Sequence, residues 1–109
     1  MVSMEQIKEV GNSIAAHFNP KRVILFGSYA YGTPRAGSDV DILVIMPFSG
    51  RSFDMAIKIW KTIRPTIPVE IVVRRPEDSE RRYRENDPLI HNAFDKGIVL
   101  YDRDHTRVA

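Results

Sequence analysis

The sequence predicts an α/β fold of the α+β kind, a small mixed β-sheet of about four strands flanked by helices. Two observations predict it. Short β-branched apolar runs alternate along the chain with longer amphipathic stretches, and proline or glycine punctuates nearly every boundary between them. No internal repeat or low-complexity segment interrupts this alternation, so residues 1–109 read as one unit.

Ser3 followed by Gln6 forms a capping-box pattern, and Met4, Ile7, Gly11, Ile14 and Phe18 recur every three or four residues, which puts one apolar stripe on a first helix ending near Asn19 and Pro20. Arg22 to Phe26 is apolar and β-branched, and Gly27 ends it, so it reads as a buried strand. A short turn or helix start follows at Ser28. After the Gly-, Pro- and Ser-containing stretch 32–38, Asp39 to Met46 reads as a second strand closed by Pro47. Phe53, Ala56, Ile57, Trp60 and Ile63 share one face of a helix from about Ser52 to Arg64, which Pro65 stops. Val69 to Val73 is a third strand. Pro76 to Asn86 is helical in spacing but polar on most sides, a surface helix. Pro88 starts a last helix with Leu89, Ile90, Ala93 and Phe94 inward and Gly97 as its stop, and Ile98 to Tyr101 is a fourth strand. The tail after Asp102 is polar and is expected to fray.

Composition removes several classes of function. The 43% hydrophobic share exceeds what a disordered chain carries, and the absence of cysteine excludes disulfides, thiol nucleophiles and Cys-based zinc sites. Sixteen Lys and Arg against fourteen Asp and Glu leave +2, far short of a nucleic-acid-coating charge. The longest apolar runs are too short to cross a bilayer and the first residues lack a secretory apolar core, so a cytoplasmic protein is expected, with no membrane partner.

The informative segment runs from Gly27 to Asp41. Gly27 and Ser28 stand where a buried strand ends and a helix can begin, so backbone N–H groups and the Ser28 hydroxyl face whatever lies beyond, an arrangement suited to an anion. Gly27 also lacks the Cβ that would keep a phosphate away, and Gly32 lets the chain turn back. Asp39 and Asp41 alternate with core-facing Val40 and Ile42, so their side chains leave one face of the strand roughly 7 Å apart. Two ionised carboxylates within about 6 Å repel by roughly 3 kcal/mol at an effective dielectric near 20, which calls for a compensating cation or full exposure. Oxygen donors without Cys or clustered His suit Mg²⁺ or Mn²⁺, with a nucleoside triphosphate supplying further ligands. Glu70 lies between apolar Val69 and Ile71. If its strand pairs with that of the aspartates, three carboxylates share one face and could hold two metal ions about 4 Å apart, the arrangement for in-line nucleotidyl displacement.

Gly27-Ser28, Gly32, Ser38-Asp39, Asp41 and the later strand carboxylate Glu70 resemble the signature of the minimal nucleotidyltransferases (MNT) of the DNA polymerase beta superfamily, small proteins of the antitoxin type found beside HEPN-domain toxins. The likeness extends from the first strand to the last. It implies a polymerase beta-like nucleotidyltransferase core in which Gly27 and Ser28, with Ser38 and Arg35, bind the nucleotide. It further implies that Asp39 and Asp41 bind both metals, and that Glu70 binds the catalytic metal and helps deprotonate the acceptor hydroxyl. The implied reaction moves NMP, AMP from ATP, to a hydroxyl, with a HEPN-type toxin as the implied acceptor. The chain departs from the pattern twice. Many relatives carry Asp in place of Glu70, although the aminoglycoside-modifying branch carries Glu, and relatives often carry Arg in place of Tyr31, a phosphate or partner contact that is either missing here or supplied by Arg35.

Other features read more plainly. His17, His91 and His105 show no metal spacing. Arg74, Arg75, Arg81, Arg82 and Arg84 interleave with Glu77, Asp78, Glu80 and Glu85, as in a solvated, salt-bridged helix. Phe53 and Trp60 belong either to the core or to an interface. A chain this short has little left over for a lid or an acceptor pocket, so the acceptor or a second chain is expected to complete the site. The competing reading is a binding module, an antitoxin that neutralises its partner by occlusion alone. A small nucleic-acid-binding domain is a third, opposed by the balanced charge.

Overall fold

The computed structural model describes residues 1–105. In chain order it contains α1 (Met4–Phe18), β1 (Arg22–Phe26), α2 (Ser28–Tyr31), β2 (Val40–Ile45), α3 (Ser52–Ile63), β3 (Val69–Arg74), α4 (Pro76–Arg84), α5 (Pro88–Lys96), β4 (Ile98–Asp102) and a 3-10 turn at Arg103–His105. The strands form one sheet in the order β3-β2-β1-β4. β1 runs antiparallel to β2 and β4, and β2 pairs with β3 in parallel, Asp41 opposite Glu70. The α/β architecture with a mixed sheet is the one the alternating pattern predicts.

Each element follows from local chemistry. The Ser3 hydroxyl accepts the Gln6 N–H at 3.2 Å while the Gln6 side chain accepts the Ser3 N–H at 2.9 Å, the reciprocal capping box at the start of α1. Asp87 caps α5 by accepting the N–H groups of Leu89 and Ile90, and Pro88 occupies a first-turn position that needs no donor. Gly97 closes α5 with φ −70, an ordinary value, so its requirement is space: a Cβ there would overlap the Ala93 carbonyl and crowd Ile24.

The sheet is covered on both faces. Val23, Leu25, Val40, Ile42 and Val44 pack against Ile7, Val10 and Ile14 of α1 and Ile59 of α3. On the reverse face Ile24, Leu43 and Ile45 pack against Ile90 and Ala93 of α5. From Ile42 onward β2 is therefore buried on both sides, which is why it reads as a continuous apolar run.

Three expectations need adjustment. On α3 the residue turned fully to the sheet is Ile59, helped by Met55, Ala56 and Ile63, while Phe53 is 69% and Trp60 46% exposed. The 3.6-residue period rotates the Phe53–Ile57–Trp60 stripe past the outer strand β3, where no further strand among the described residues covers it, so these residues are not core. The arginines also divide. Arg81 and Arg82 bridge to Asp78, Glu85 and Asp87 along and beyond α4, whereas Arg75 donates to the carbonyls of Phe48 and Gly50 and lies 4.1 Å from the centre of the Phe48 ring, clamping the β2–α3 loop. Fraying does not begin at Asp102. Its carboxylate accepts the Asp104 N–H and the Arg103 N–H donates to the Lys21 carbonyl, which holds the turn to the sheet. The rest of the expected frayed tail, 106–109, lies outside the described residues. No helix among those described is long and apolar enough to cross a membrane.

Candidate active site

The end of the sheet where β1 finishes and β2 and β3 begin gathers the acidic residues. β1 ends at Phe26, and Gly27 turns the chain with φ +73 into α2, whose single turn is closed by Gly32 at φ +82. The N–H groups of Ala30 and Tyr31 both donate to the Gly27 carbonyl at 3.0 Å, and Thr33 donates to the Ser28 carbonyl. Helix geometry leaves the N–H groups of Ser28 and Tyr29 outside this pattern. The missing Cβ of Gly27 has a nearer reason than room for a phosphate: a Cβ there would overlap Oδ2 of Asp41 and stand 3.0 Å from its Cγ. Gly27 thus seats Asp41 on the sheet.

β2 begins when the Val40 N–H donates to the Pro68 carbonyl at 2.9 Å, one residue after Asp39. Asp41 is inside the ladder, paired with Phe26 on one side and Glu70 on the other, while Asp39 precedes it and is exposed. Directly opposed residues share a sheet face, so Asp41 stands between an apolar ring and a second carboxylate. Its pKa is pushed from 3.8 to about 6, first by desolvation, then by the negative charges of Glu70 and Asp39 and by a hydrogen bond shared with Glu70. Near neutrality, two carboxyl groups in contact with a third in range carry more negative charge than the site compensates.

This donor set fits a hard divalent cation. All donors are oxygens, and the proton that Asp41 retains is what a metal would displace. Among the described residues no three acidic or histidine side chains stand close enough to form a metal shell alone. Asp41 and Glu70 make the close pair, and Asp39 acts on Asp41 through its charge. The condition that the third strand must pair beside the aspartates is met, in parallel register.

The remaining residues lie on the loop between α2 and β2. The Ser38 hydroxyl accepts the Arg35 N–H at 3.0 Å and its own N–H donates to the Arg35 carbonyl at 2.9 Å, so Ser38 closes the turn that delivers Asp39 and Asp41. Arg35 is exposed on that turn, and Tyr31 is 39% exposed at the end of α2. Tyr29 ties α2 down by accepting the Val2 N–H at 3.3 Å. Sequence reasoning missed Phe26, whose signal was its place as the last apolar residue before Gly27. The α3 stripe, which the sequence left open between core and interface, is exposed and borders β3 beside Glu70.

Comparison with known proteins agrees with the fold. The family described as "Polymerase beta, Nucleotidyltransferase" matches residues 5–106. A protein of Methanocaldococcus jannaschii named "Putative protein adenylyltransferase MJ0604" is 30% identical over 99 residues, 87% of this chain and 94% of that protein. A Sulfolobus solfataricus structure, described as a "putative nucleotidyltransferase", superposes with a TM-score of 0.65 at 20% identity, covering 93% of this chain and 81% of the other. A toxin–antitoxin structure with AMP-PNP superposes at 0.57 with 21% identity, covering 93% and 81%. A mutant toxin–antitoxin pair, MntA-HpeT, superposes at 0.56 with 17% identity, covering 98% and 80%.

Proposed function

The chain belongs to the polymerase beta nucleotidyltransferase family and is an enzyme of that kind, and from that premise we propose that it transfers AMP from ATP to a hydroxyl of a partner protein, a HEPN-type toxin that it thereby neutralises as an antitoxin. The observation that carries the reading is the Asp41–Glu70 pair, whose burial and mutual repulsion keep Asp41 protonated up to about pH 6. The name of the M. jannaschii relative supports a protein acceptor, and likeness of fold to toxin–antitoxin structures, one with AMP-PNP, supports the partner and the nucleotide.

Asp39, Asp41 and Glu70 would hold Mg²⁺ or Mn²⁺, which when bound would supply positive charge against the negative charge developing on the phosphates. Gly27 and Ser28 receive the triphosphate, assisted by Ser38 and Arg35 on the loop. The acceptor hydroxyl oxygen forms a bond to the α-phosphorus, and the bond between that phosphorus and the α–β bridging oxygen breaks. Pyrophosphate leaves with the electron pair. The hydroxyl proton passes to Glu70 and then to water. Most of the acceleration comes from alignment and electrostatics, since phosphoryl chemistry asks little covalent work of the protein.

The test is incubation with α-labelled ATP, Mg²⁺ and the proteins encoded nearby, a HEPN-type toxin being the expected acceptor. Label appears on the toxin with the native chain and is lost with Asp41→Asn. Neutralisation that persists in EDTA, with no label transferred, would instead establish occlusion, a reading favoured by the exposed Phe53 and Trp60.

A further inference from the structure

β3 is an outer strand: β2 pairs with one of its edges, and the other carries no strand among the described residues. Unpaired backbone N–H and C=O groups along an edge are a template for another extended chain. Beside this edge the exposed stripe Phe53, Ile57 and Trp60 on α3 forms, with Val69 and Ile71, an open apolar groove. Glu70 borders the same groove from β3, while its side chain leaves the opposite face of the strand with Asp41, so groove and carboxylates meet only at the β3 edge itself.

The register of the sheet decides what could lie there. Glu70 faces the side of Asp41, as do Val72 and Arg74, while Val69 and Ile71 face α3. A strand added to β3 lies roughly 4.8 Å away and its side chains alternate in the same way. Its residue opposite Glu70 projects toward Asp41 and Glu70, and the residues on either side of it project into the apolar groove. Four residues along, the added strand faces Arg74, whose Nε is buried without a hydrogen-bond partner among the described residues. The edge therefore carries an acidic side chain at Glu70 and a basic one at Arg74, whose guanidinium also donates to the Val73 carbonyl and has Asp78 and Asp87 in electrostatic range, with apolar Val72 between them on that face.

Deepening the proposed transfer, on which this rests, we infer that the β3 edge and the α3 groove form the docking surface for an extended segment of the protein acceptor, which presents its hydroxyl residue opposite Glu70, apolar residues to Phe53 and Trp60, and an acidic residue opposite Arg74. In this pose the hydroxyl oxygen attacks the α-phosphorus, the bond to the bridging oxygen breaks, pyrophosphate takes the electron pair, and the proton goes to Glu70. β3 thus serves both as a member of the site and as a ruler that places the acceptor.

Trp60 is the only tryptophan in the chain and is 46% exposed, so its emission reports occupancy without any transfer. The probes are two eight-residue synthetic peptides with a tyrosine flanked by valines and a glutamate four residues away, in the two opposite orders, because the edge can be extended in parallel or antiparallel sense. A third peptide has proline within the pairing stretch. One order is expected to shift the Trp60 emission to the blue saturably, the proline peptide is expected to do nothing, and Phe53→Asp is expected to weaken binding at least tenfold. Arg74→Gln with a glutamine peptide tests the polar end and is expected to recover part of what either change alone loses. Label transfer to the toxin that is unaltered by Phe53→Asp, with no peptide-dependent shift, overturns the docking surface and leaves the transferase reading standing. Peptide binding without transfer to any acceptor overturns the transferase reading instead. A blue shift that grows with protein concentration, with a dimeric mass by light scattering, overturns the acceptor assignment in favour of edge-to-edge pairing of two copies.

Discussion

Asp41 and Glu70 face each other directly across the parallel β2–β3 ladder, and burial at this position, reinforced by that opposition, shifts the acidity of the site. Asp41 has a higher pKa in the folded chain, about 6, than the 3.8 of an unperturbed aspartate. The folded state thus binds a proton that the unfolded chain has already lost, and the stability contributed is present below pH 3.8 and is lost as pH rises through about 6. The metal-free protein should show a falling contribution to Tm between pH 4 and 6.5, against the usual direction for a carboxylate. Asp41→Asn should flatten this part of the profile, measured by circular dichroism in EDTA. A native profile that rises through that interval and is unchanged by the substitution would refute the opposition as an energetic fact.

The two aspartates should separate in this experiment while agreeing in another. Asp39 lies outside the ladder and is only the third contributor to the Asp41 shift, so Asp39→Asn should leave most of the pH slope in place. Glu70→Gln removes the second-largest cause and should lower the midpoint clearly. All three substitutions should reduce AMP transfer, by on the order of a hundredfold to a thousandfold, the cost of removing one electrostatic element from a site of this kind.

Gly27→Ala tests whether the glycine serves the carboxylate. The added Cβ meets Asp41 Oδ2 at a positive φ, so the change should cost about 1 to 3 kcal/mol and displace Asp41. Gly32→Ala is its control. That residue also has a positive φ, but nothing lies within 4 Å of the place its methyl group would take, so only the backbone cost of about 1 kcal/mol applies. Urea midpoints compare the two. Only Gly27→Ala should also erase the pH effect at Asp41.

Much of this fold was legible because local signals agreed. Arg22 to Phe26 ends at Gly27 as expected, and Ser3 with Gln6 closes the helix start it announces. What escaped depended on partners distant in sequence. Ile59 and Trp60 are both apolar and adjacent, and which one faces the sheet depends on where β3 ends the sheet. Asp39 and Asp41 look equivalent in a strand pattern, but pairing starts only at Val40, where its N–H reaches Pro68, so one is held in the ladder and the other is not. The nearness of Glu70 was conditional on a strand pairing that spacing alone does not fix. The reason for Gly27 needed Asp41 in view.

Asp87 should be the most costly single polar side chain outside the site. Its Oδ1 accepts two N–H groups at the start of α5 and its Oδ2 pairs with Arg82 at 3.0 Å, so one residue caps a helix and links it to α4. Asp87→Ala should cost about 1 to 2 kcal/mol, chiefly through the cap, whereas Arg51→Ala, which breaks an exposed, solvent-screened pair with Asp54, should leave stability essentially unchanged. Chemical denaturation at neutral pH reads both. An equal effect would mean that the cap is not formed in solution.

Metal binding should be coupled to the same proton. A cation entering between Asp41 and Glu70 must displace the proton that Asp41 holds below about pH 6, so Mg²⁺ affinity should fall about tenfold for each pH unit below that value and level off above it. Titration calorimetry in two buffers of different ionisation enthalpy counts the protons released, with close to one expected at pH 5 and few at pH 7.5. Glu70→Gln weakens the raising influence on Asp41 and removes a donor, so it should shift this midpoint downward and also lower the plateau affinity. Asp41→Asn leaves no proton to displace there and should abolish the release. Mg²⁺ binding of equal strength at pH 5 and pH 7, with no proton exchanged, would place the cation away from the Asp41–Glu70 pair and remove the physical basis for assigning the chemistry to this end of the sheet.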